Sequence, residues 1–517
     1  MGRRRSLVRR LDEIRRVIHE LYTEYLDLLR ELDENYILLG IEGNGYTIDR
    51  RSVMEFFKNP FFIQIVNERY PQAIIAVPKF IEGEFGVKVG ESQNYAIYVL
   101  NPIVRAIIKD LPKPLEDVVP LLTGEEHGVY VSEDRLNAPP DLLEELMIRY
   151  PQGIIKKIGR NVALIRRDHR FPLIATLVRM GYIPFKRSSV SEDDLRTPIL
   201  KKDLRLRDYQ EEALNMFLQY GAIGIYWPFG TGKSLFALYL LSIVRGKKLV
   251  IVPTRTLKSQ WIERIEEYLE DDIWDEVEIH TYRAYSKVKR RKWKLVIFDE
   301  VHHLPADTYS KLSMLKTKYR VGLTGTPYRE DGRADLIIAL TGVPHGMNHR
   351  EFIDKGIISP PKVIVERVDS EDEKPSMVKE IVMDRHRNER IIVFCDYIEM
   401  GRRIAEEIKT IFIYGRTEDR LEKIRGRRIA VVSRVGDEGM SLPNIDVIVE
   451  ACFHYGSRRQ QLQRVGRLYH SNREVKLHYI LMTDEEVRRY YKRLFTLGAS
   501  GIEVEYRGFR GIPFIAT

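Results

Sequence analysis

The stretch Trp227-Pro-Phe-Gly-Thr-Gly-Lys-Ser234 sits between an apolar run, Ala222 to Tyr226, and a helix-like segment, Leu235 to Val244. Strand, glycine turn, helix is the local order in which a chain cradles phosphate. Gly230 and Gly232 let the backbone curl so that N–H groups face inward at a helix N-terminus, where the helix dipole favours an anion. Phe229 and Thr231 complete the loop. Lys233 is placed to reach the outer phosphates of a nucleoside triphosphate, and Ser234 to ligate Mg²⁺. Trp227 departs from the general pattern, which begins with glycine.

Further along, Asp299 and Glu300 leave the end of a second apolar run, Leu295-Val-Ile-Phe298. Asp299 is expected to hold Mg²⁺ through water, and Glu300 to position and polarise an attacking water. His302 and His303 follow without further ligands at metal spacing, so they do not read as a zinc site. Similar runs recur at Leu249-Val-Ile-Val252, Ile391-Ile-Val-Phe394 and Ile429-Ala-Val-Val432, separated by helical segments. Continuous apolar strands of this kind build parallel sheets covered on both faces, so the expected fold class is α/β. Ligands of such sheets bind beyond the carboxyl ends of the strands, where these motifs fall.

At 517 residues the chain exceeds what one core usually supports. Its 84 Lys and Arg against 75 Asp and Glu leave a net charge of +9, which favours a polyanionic partner. Cys395 and Cys452 are its only cysteines, which excludes a disulfide framework and a thiolate zinc cluster. No run of about eighteen apolar residues occurs, and no apolar leader segment follows the arginine-rich start. A cytoplasmic protein without membrane contact is expected.

Leu7, Leu11, Ile14, Ile18, Leu21, Tyr25, Leu28 and Leu32 alternate at spacings of four and three. Residues 1–34 are therefore expected to form an amphipathic, coiled-coil-like helix. Packing on its own protein is the favoured reading, with a dimer or partner helix as the alternative. Residues 35–200 form an expected α/β accessory region. In it Arg69-Tyr-Pro-Gln-Ala-Ile-Ile75 recurs as Arg149-Tyr-Pro-Gln-Gly-Ile-Ile155, which suggests two related units. Each copy is followed by a strand-like stretch (Asn94 to Leu100; Asn161 to Ile165) and a helix-like one (Ile103 to Ile108; Leu173 to Met180). Ser188 to Asp194 reads as a linker. Lys287, Lys289, Arg290, Arg291, Lys292 and Lys294 read as a solvated hairpin, with a contribution to gripping a polyanion as the alternative.

With these residues in place, Leu204 to Arg473 resembles superfamily 2 helicases, and within them the XPB-like, DEVH-box group. Arg207-Asp-Tyr-Gln210 is similar to the Q-type motif that reads adenine, and Pro228-Phe-Gly-Thr-Gly-Lys-Ser234 matches the group's phosphate loop, leading proline included. Pro253-Thr-Arg255 with Gln260 and Trp261 resembles motif Ia, and Phe298-Asp-Glu-Val-His-His-Leu-Pro-Ala306 the DEVH-box signature. Gly322-Leu-Thr-Gly-Thr326 resembles the motif, here carried by Thr324 and Thr326, that couples hydrolysis to domain closure. Arg329-Glu-Asp331, with Glu330 at its centre, looks like the element implicated in separating strands. Gly436-Asp-Glu-Gly439 resembles motif V, and Ser457-Arg-Arg-Gln460 through Gln463-Arg-Val-Gly-Arg467 resembles motif VI. Two departures stand out. His470 replaces a further arginine, which weighs against a full ATPase rate unless Arg473 substitutes. The stretch from Ile337 to Ile391 is short for the helical thumb of many relatives, so translocation is expected ahead of processive unwinding.

The resemblance implies two tandem RecA-like domains, the first over residues 201–345 and the second, with the linker that leads into it, over 346–517, with ATP and Mg²⁺ between them. Lys233, Ser234, Asp299 and Glu300 would face the phosphates from one side, and Arg464 and Arg467 from the other. Arg207, Gln210 and Gly439 would join them in holding the nucleotide. DNA, as single strand, fork or duplex, would lie across both domains, held by Thr254, Arg255, Thr281, Gln463 and motif V. The implied activity is that of an ATP-dependent DNA helicase or translocase in repair, recombination or transcription-linked remodelling, and a protein partner such as a nuclease would engage the N-terminal helix. Two rivals stay open on sequence: a clamp that uses ATP only as a conformational ligand, and the motor subunit of a restriction system. In relatives a damage-recognition-like domain precedes the Q-type motif. Phe171 to Phe185 would supply its helix and strand here, with a purely structural cap as the alternative.

Overall fold

The computed structural model describes strand backbone at 36–39, 46–49, 62–67, 72–78, 86–91 and 95–100. Beyond these it describes residues 122–123, 127–180, 182–304, 306–325, 335–346, 349–415, 417, 419–433, 445–452, 461, 464–470, 476–499 and 502–509. The helix expected over 1–34 lies outside them. No helix among the described residues is long and apolar enough to cross a membrane.

Two compact units emerge, residues 1–122 with 179–181, and the remainder. In the first, β1 (Tyr36–Leu39), β2 (Tyr46–Asp49), β3 (Phe62–Asn67), β4 (Gln72–Pro78), β5 (Gly86–Glu91) and β6 (Tyr95–Leu100) form one sheet, ordered β2-β1-β3-β4-β6-β5. Its pairs are antiparallel except β1 with β3. After the two-residue β7 (Leu122–Thr123), the second unit opens with β8 (Tyr130–Ser132), β9 (Arg135–Asn137), β10 (Ile154–Lys157) and β11 (Val162–Ile165), an antiparallel sheet ordered β10-β11-β9-β8. Helices Pro140–Arg149 and Arg170–Arg179 bury Leu142, Leu143, Leu146, Leu173 and Leu177, and the sheet buries Leu136 and Ala163. The two copies of the repeated heptapeptide both run into a strand, β4 and β10. The first follows a strand and the second a helix, so the likeness does not extend upstream. Phe171 to Phe185 contain the expected helix and strand, the latter β12 (Tyr182–Ile183).

Lobe 1 is a parallel sheet of β13 (Ala222–Tyr226), β14 (Lys248–Val252), β15 (Val277–Thr281), β16 (Lys292–Phe298), β17 (Lys316–Thr324) and β18 (Val343–Gly346), ordered β15-β14-β16-β17-β13-β18. Lobe 2 is a second parallel sheet, of β19 (Lys362–Arg367), β20 (Ile391–Cys395), β21 (Phe412–Ile413), β22 (Ile429–Val432), β23 (Val447–Cys452), β24 (Leu477–Met482) and β25 (Val504–Arg507). Its order is β21-β22-β20-β23-β24-β19-β25. Consecutive residues along the inner strands are buried, the pattern of a parallel sheet covered on both faces. Every residue of β14 is buried, Lys248 included, whose ammonium reaches Glu276. The two tandem parallel sheets are the expected α/β architecture.

Packing moves both ends of lobe 1 outward from the expected 201–345. Val190 enters its core, and Leu195, Ile199 and Leu200 pack against it, so Ser188 to Asp194 is the lobe's own edge and no linker. The reason is Asp194, which accepts bonds from Lys294 (2.7 Å), Lys318 (2.8 Å) and the Tyr319 hydroxyl (2.6 Å). At the other end Phe352 and Ile358 are also buried in lobe 1. The chain passes to lobe 2 at Ser359-Pro-Pro361, where two prolines restrict the crossing. The basic run from Lys287 to Lys294 is exposed over most of its length but is no hairpin. It is a short helix, Tyr285–Val288, followed by the amino end of β16, at the edge of the sheet opposite the motifs.

Lys294, then Lys318 and Tyr319, hold the Asp194 carboxyl far below the usual carboxylate range, against the opposing effect of burial. A depressed folded-state pKa stabilises fully above the unfolded value, about 4, and that contribution is lost as pH falls from there through the lower folded-state value. Asp194→Asn should therefore cost about 2 kcal/mol at neutral pH. In denaturant melts the gap from wild type should hold down to about pH 4 and narrow below it; a gap that stays constant well below that pH would assign the cost elsewhere.

Candidate nucleotide site between the lobes

β13 ends at Tyr226, and the phosphate loop begins with a residue that belongs to the core. Trp227 is fully buried, edge-on to Tyr209 (4.9 Å between ring centroids) and packed on Phe236. Its indole N–H donates to His345 Nδ1 at 3.0 Å. An indole nitrogen only donates, so Nδ1 accepts, and His345 Nε2 carries the hydrogen toward Glu212, 3.3 Å away. Tryptophan thus replaces the usual glycine because this position pins the base of the loop to β18.

The loop itself needs its glycines: Gly230 and Gly232 have φ of +82° and +85°. The Q-type motif braces it from behind. The Tyr209 hydroxyl donates to the Thr231 carbonyl at 2.5 Å, and Gln210 Nε2 donates to the Gly232 carbonyl at 3.3 Å while its Oε1 accepts from the Arg207 N–H at 3.0 Å. Arg207 itself is exposed. Lys233 is buried and donates to the carbonyls of Trp227 and Pro228, both at 2.9 Å, with its ammonium 4.8 Å from the centroid of Phe229. Burial pulls its pKa down to about 8, opposed by Glu300 and Asp299. Ser234 is half-buried in the first turn of the helix Lys233–Ile243.

Asp299 stands at the carboxyl end of β16. One carboxylate oxygen accepts from Trp261 Nε1 (2.8 Å) and the other from the Glu300 N–H (3.0 Å), so each keeps a lone pair for a further partner. Burial raises its pKa, and the Trp261 bond opposes the rise. Glu300 adopts left-handed φ of 47°, a conformation that costs a non-glycine residue about 1 kcal/mol or more. The turn that follows brings His302 Nδ1 within 3.4 Å of the Glu300 carboxylate and 2.6 Å of Thr324 Oγ1. His302 is therefore bonded to the buried end of β17 and lies beside the Glu300 carboxylate.

Lobe 2 separates the two motif VI arginines. Arg464, expected opposite the phosphates, is fully buried inside its own lobe. It bonds Glu450 (2.6 Å) and Asp396 (2.8 Å) and lies 4.4 Å from the centroid of Phe394. Gln461 and His478 bond the same Glu450, at 2.6 and 2.7 Å. Arg464 is therefore a brace for motif VI, a correction to the pairing expected with Arg467. The signal in the sequence was Glu450, a lone carboxylate in the apolar strand Val447-Ile-Val-Glu-Ala-Cys452, because a buried charge requires a partner.

Arg467 is half-buried and opens the turn Arg467–His470. Its neighbours touch the phosphate loop: a β-carbon at Gly466 would stand 2.7 Å from Phe229 Cβ, and one at Gly230 would stand 2.8 Å from Tyr469 Cβ. The phosphate loop and the Arg467 segment therefore face one another. Thr254 caps the helix Arg255–Tyr268 by accepting from Leu257 N–H (3.2 Å), with Arg255 exposed in its first turn and Thr281 closing β15. All three stand at the carboxyl edge of lobe 1. Thr326, Arg329 to Asp331, Gly436 to Gly439, Gln463 and the side chain of His470 lie outside the described residues.

Arg464→Ala would strand two buried carboxylates and should destabilise lobe 2 by about 3–5 kcal/mol. Arg467→Ala should change stability by less than about 1 kcal/mol. Thermal melts of both variants check this; equal costs would erase the distinction.

The chain matches known families along the same stretch. Residues 377–496 match the family described as ERCC3/RAD25/XPB C-terminal helicase, and residues 203–284 and 276–329 match the family described as type III restriction enzyme, res subunit. A Halobacterium salinarum protein named as the DNA 3′-5′ helicase Rad25 is 31% identical over 71% of this chain and 68% of its own length. The Haloarcula marismortui protein of the same name is 31% identical over 67% of this chain and 64% of its own length. One named DNA 3′-5′ translocase XPB2, from Sulfurisphaera tokodaii, is 29% identical over 53% of this chain and 81% of its own length. With the phosphate loop, the acidic pair and the motif VI segment in one cleft, the chain belongs to the Rad25/XPB helicase family.

Proposed function

We propose that the protein is an ATP-driven DNA helicase or translocase, in which hydrolysis between the lobes moves them along a DNA strand. The observation that supports this most is the contact of the Arg467 segment with the phosphate loop, because cleavage and lobe movement then involve the same residues. Lys233 exchanges its two carbonyl partners for the β and γ phosphate oxygens. Glu300 orients water and takes its proton as the oxygen attacks the γ-phosphorus; the bond to the β-phosphate oxygen breaks and ADP departs. Arg467 offsets the charge that develops on the transferred group. A helix-terminal hydroxyl, Ser234, and a carboxylate with a lone pair on each oxygen, Asp299, suit a hard cation, so these two would hold Mg²⁺. When bound, the ion neutralises phosphate charge.

His302 passes the change at Glu300 to Thr324, and hence toward the element that begins after β17. DNA phosphates would meet Thr254, Arg255 and Thr281, giving an affinity that falls steeply with salt. The 3′-to-5′ direction named for the relatives is the direction proposed here, with roles in repair or transcription-linked remodelling. Residues 1–34 would serve a protein partner such as a nuclease. The clamp alternative would require a site that binds ATP without cleaving it, and the set Lys233, Asp299 and Glu300 opposes that. The restriction-motor alternative draws on the lobe 1 similarity alone.

Phosphate release with and without single-stranded DNA tests the reading. Wild type should be DNA-stimulated, whereas Lys233→Ala and Glu300→Gln should each lose about 100-fold or more with unchanged melting. Stimulated turnover surviving in both variants would refute the site.

A further inference from the structure

Two contacts across the cleft are reciprocal. Phe229 of lobe 1 rests on Gly466 of lobe 2, and Tyr469 of lobe 2 rests on Gly230 of lobe 1. The added β-carbon distances of 2.7 and 2.8 Å are closer than real side chains approach, so each aromatic residue lies directly on bare backbone. The ring of Phe229 also covers Gly325, where a β-carbon would stand 2.7 Å from Cε2, and its face receives the Lys233 ammonium. Tyr469 packs against the apolar cores of both lobes. Arg467 lies in the chain between the two contact points, one residue after Gly466 and two before Tyr469.

We infer that Phe229 and Tyr469 are positioning residues that set the register of Arg467 over the phosphate loop. Fixing Gly466 and Tyr469 against consecutive loop residues fixes the backbone that carries Arg467, while Phe229 links that backbone to Lys233 and to Gly325. Neither aromatic side chain takes part in bond making. Each acts through Arg467, and the inference rests on the ATPase reading given above. A misplacement of about 1 Å at a reacting group lowers turnover up to about 100-fold, which sets the scale of the expected effect.

The test is a cycle of variants, read as kcat and KM for ATP with saturating single-stranded DNA. Phe229→Ala and Tyr469→Ala should each lower kcat by about 10- to 100-fold, with KM changed less than about threefold. Tyr469→Phe, which keeps the aromatic side chain packed between the two lobes, should restore kcat to within about twofold. In an Arg467→Ala background, Phe229→Ala should cost less than about a further twofold, because the group it positions is gone. An equal factor in both backgrounds, or a Phe229→Ala enzyme with wild-type kcat, would overturn the inference. If Phe229→Ala fails to fold in a thermal melt, Phe229→Leu carries the same cycle. Absence of turnover in wild type would instead refute the ATPase reading, and this inference with it.

Discussion

The closeness of two backbones at the cleft governs the rest of the molecule. Phe229-Gly230 and Gly466 through Tyr469 meet so tightly that a β-carbon at either glycine would run into the β-carbon of the facing aromatic residue. A loop held this way cannot rearrange alone. Behind it, Tyr209 and Gln210 grip the carbonyls of Thr231 and Gly232, and Trp227 pins its base to His345. A change of partner at Lys233 is therefore felt at once by lobe 2, through Phe229, and by β17, through Gly325 and Thr324. Packed interfaces of this kind are bistable more than elastic, which is what converts a small chemical change into a discrete step.

The two lobes secure their halves of the site by different physics. Around the phosphate loop, lobe 1 uses aromatic packing and hydrogen bonds to peptide carbonyls. Lobe 2 buries ions: Arg464, Asp396 and Glu450 are all without solvent exposure, and Gln461 and His478 complete the set. Desolvation makes such a network a poor source of stability, yet breaking it is expensive because the remaining charges stay buried. Its geometric effect is to fix motif VI to β20, β23 and β24 at once. The arginine that leaves the network, Arg467, then starts from a rigid base.

How much of this was legible depends on whether a residue's partners are local. The strands were readable because both faces are buried, so Ala222 to Tyr226 and Ile429 to Val432 stand as predicted. Lys233, Asp299 and Glu300 were readable because strand ends place them. Ser188 to Asp194 misled because its polarity suits a linker, whereas the cations that satisfy Asp194 lie at Lys294 and Lys318, far along the chain. Arg464 and Arg467 look alike in sequence; the first is buried against Glu450 and Asp396, and the second is half-buried between two residues that meet the phosphate loop. Trp227 looked like a departure from a pattern and is a core residue. Tyr469 belongs to no motif, and its role follows only from its contact with Gly230. Glu450 left a faint trace as a charge within an apolar strand.

The central claim is that ATP is cleaved between the lobes with Arg467 at the transferred phosphate. A crystal structure with ADP, aluminium fluoride and a single DNA strand tests it most directly. The account predicts the Arg467 guanidinium within hydrogen-bonding distance of the fluoride ligands, with Arg464 still bonded to Glu450 and Asp396. A fluoride complex contacted only from lobe 1, with Arg467 turned to solvent, would contradict it.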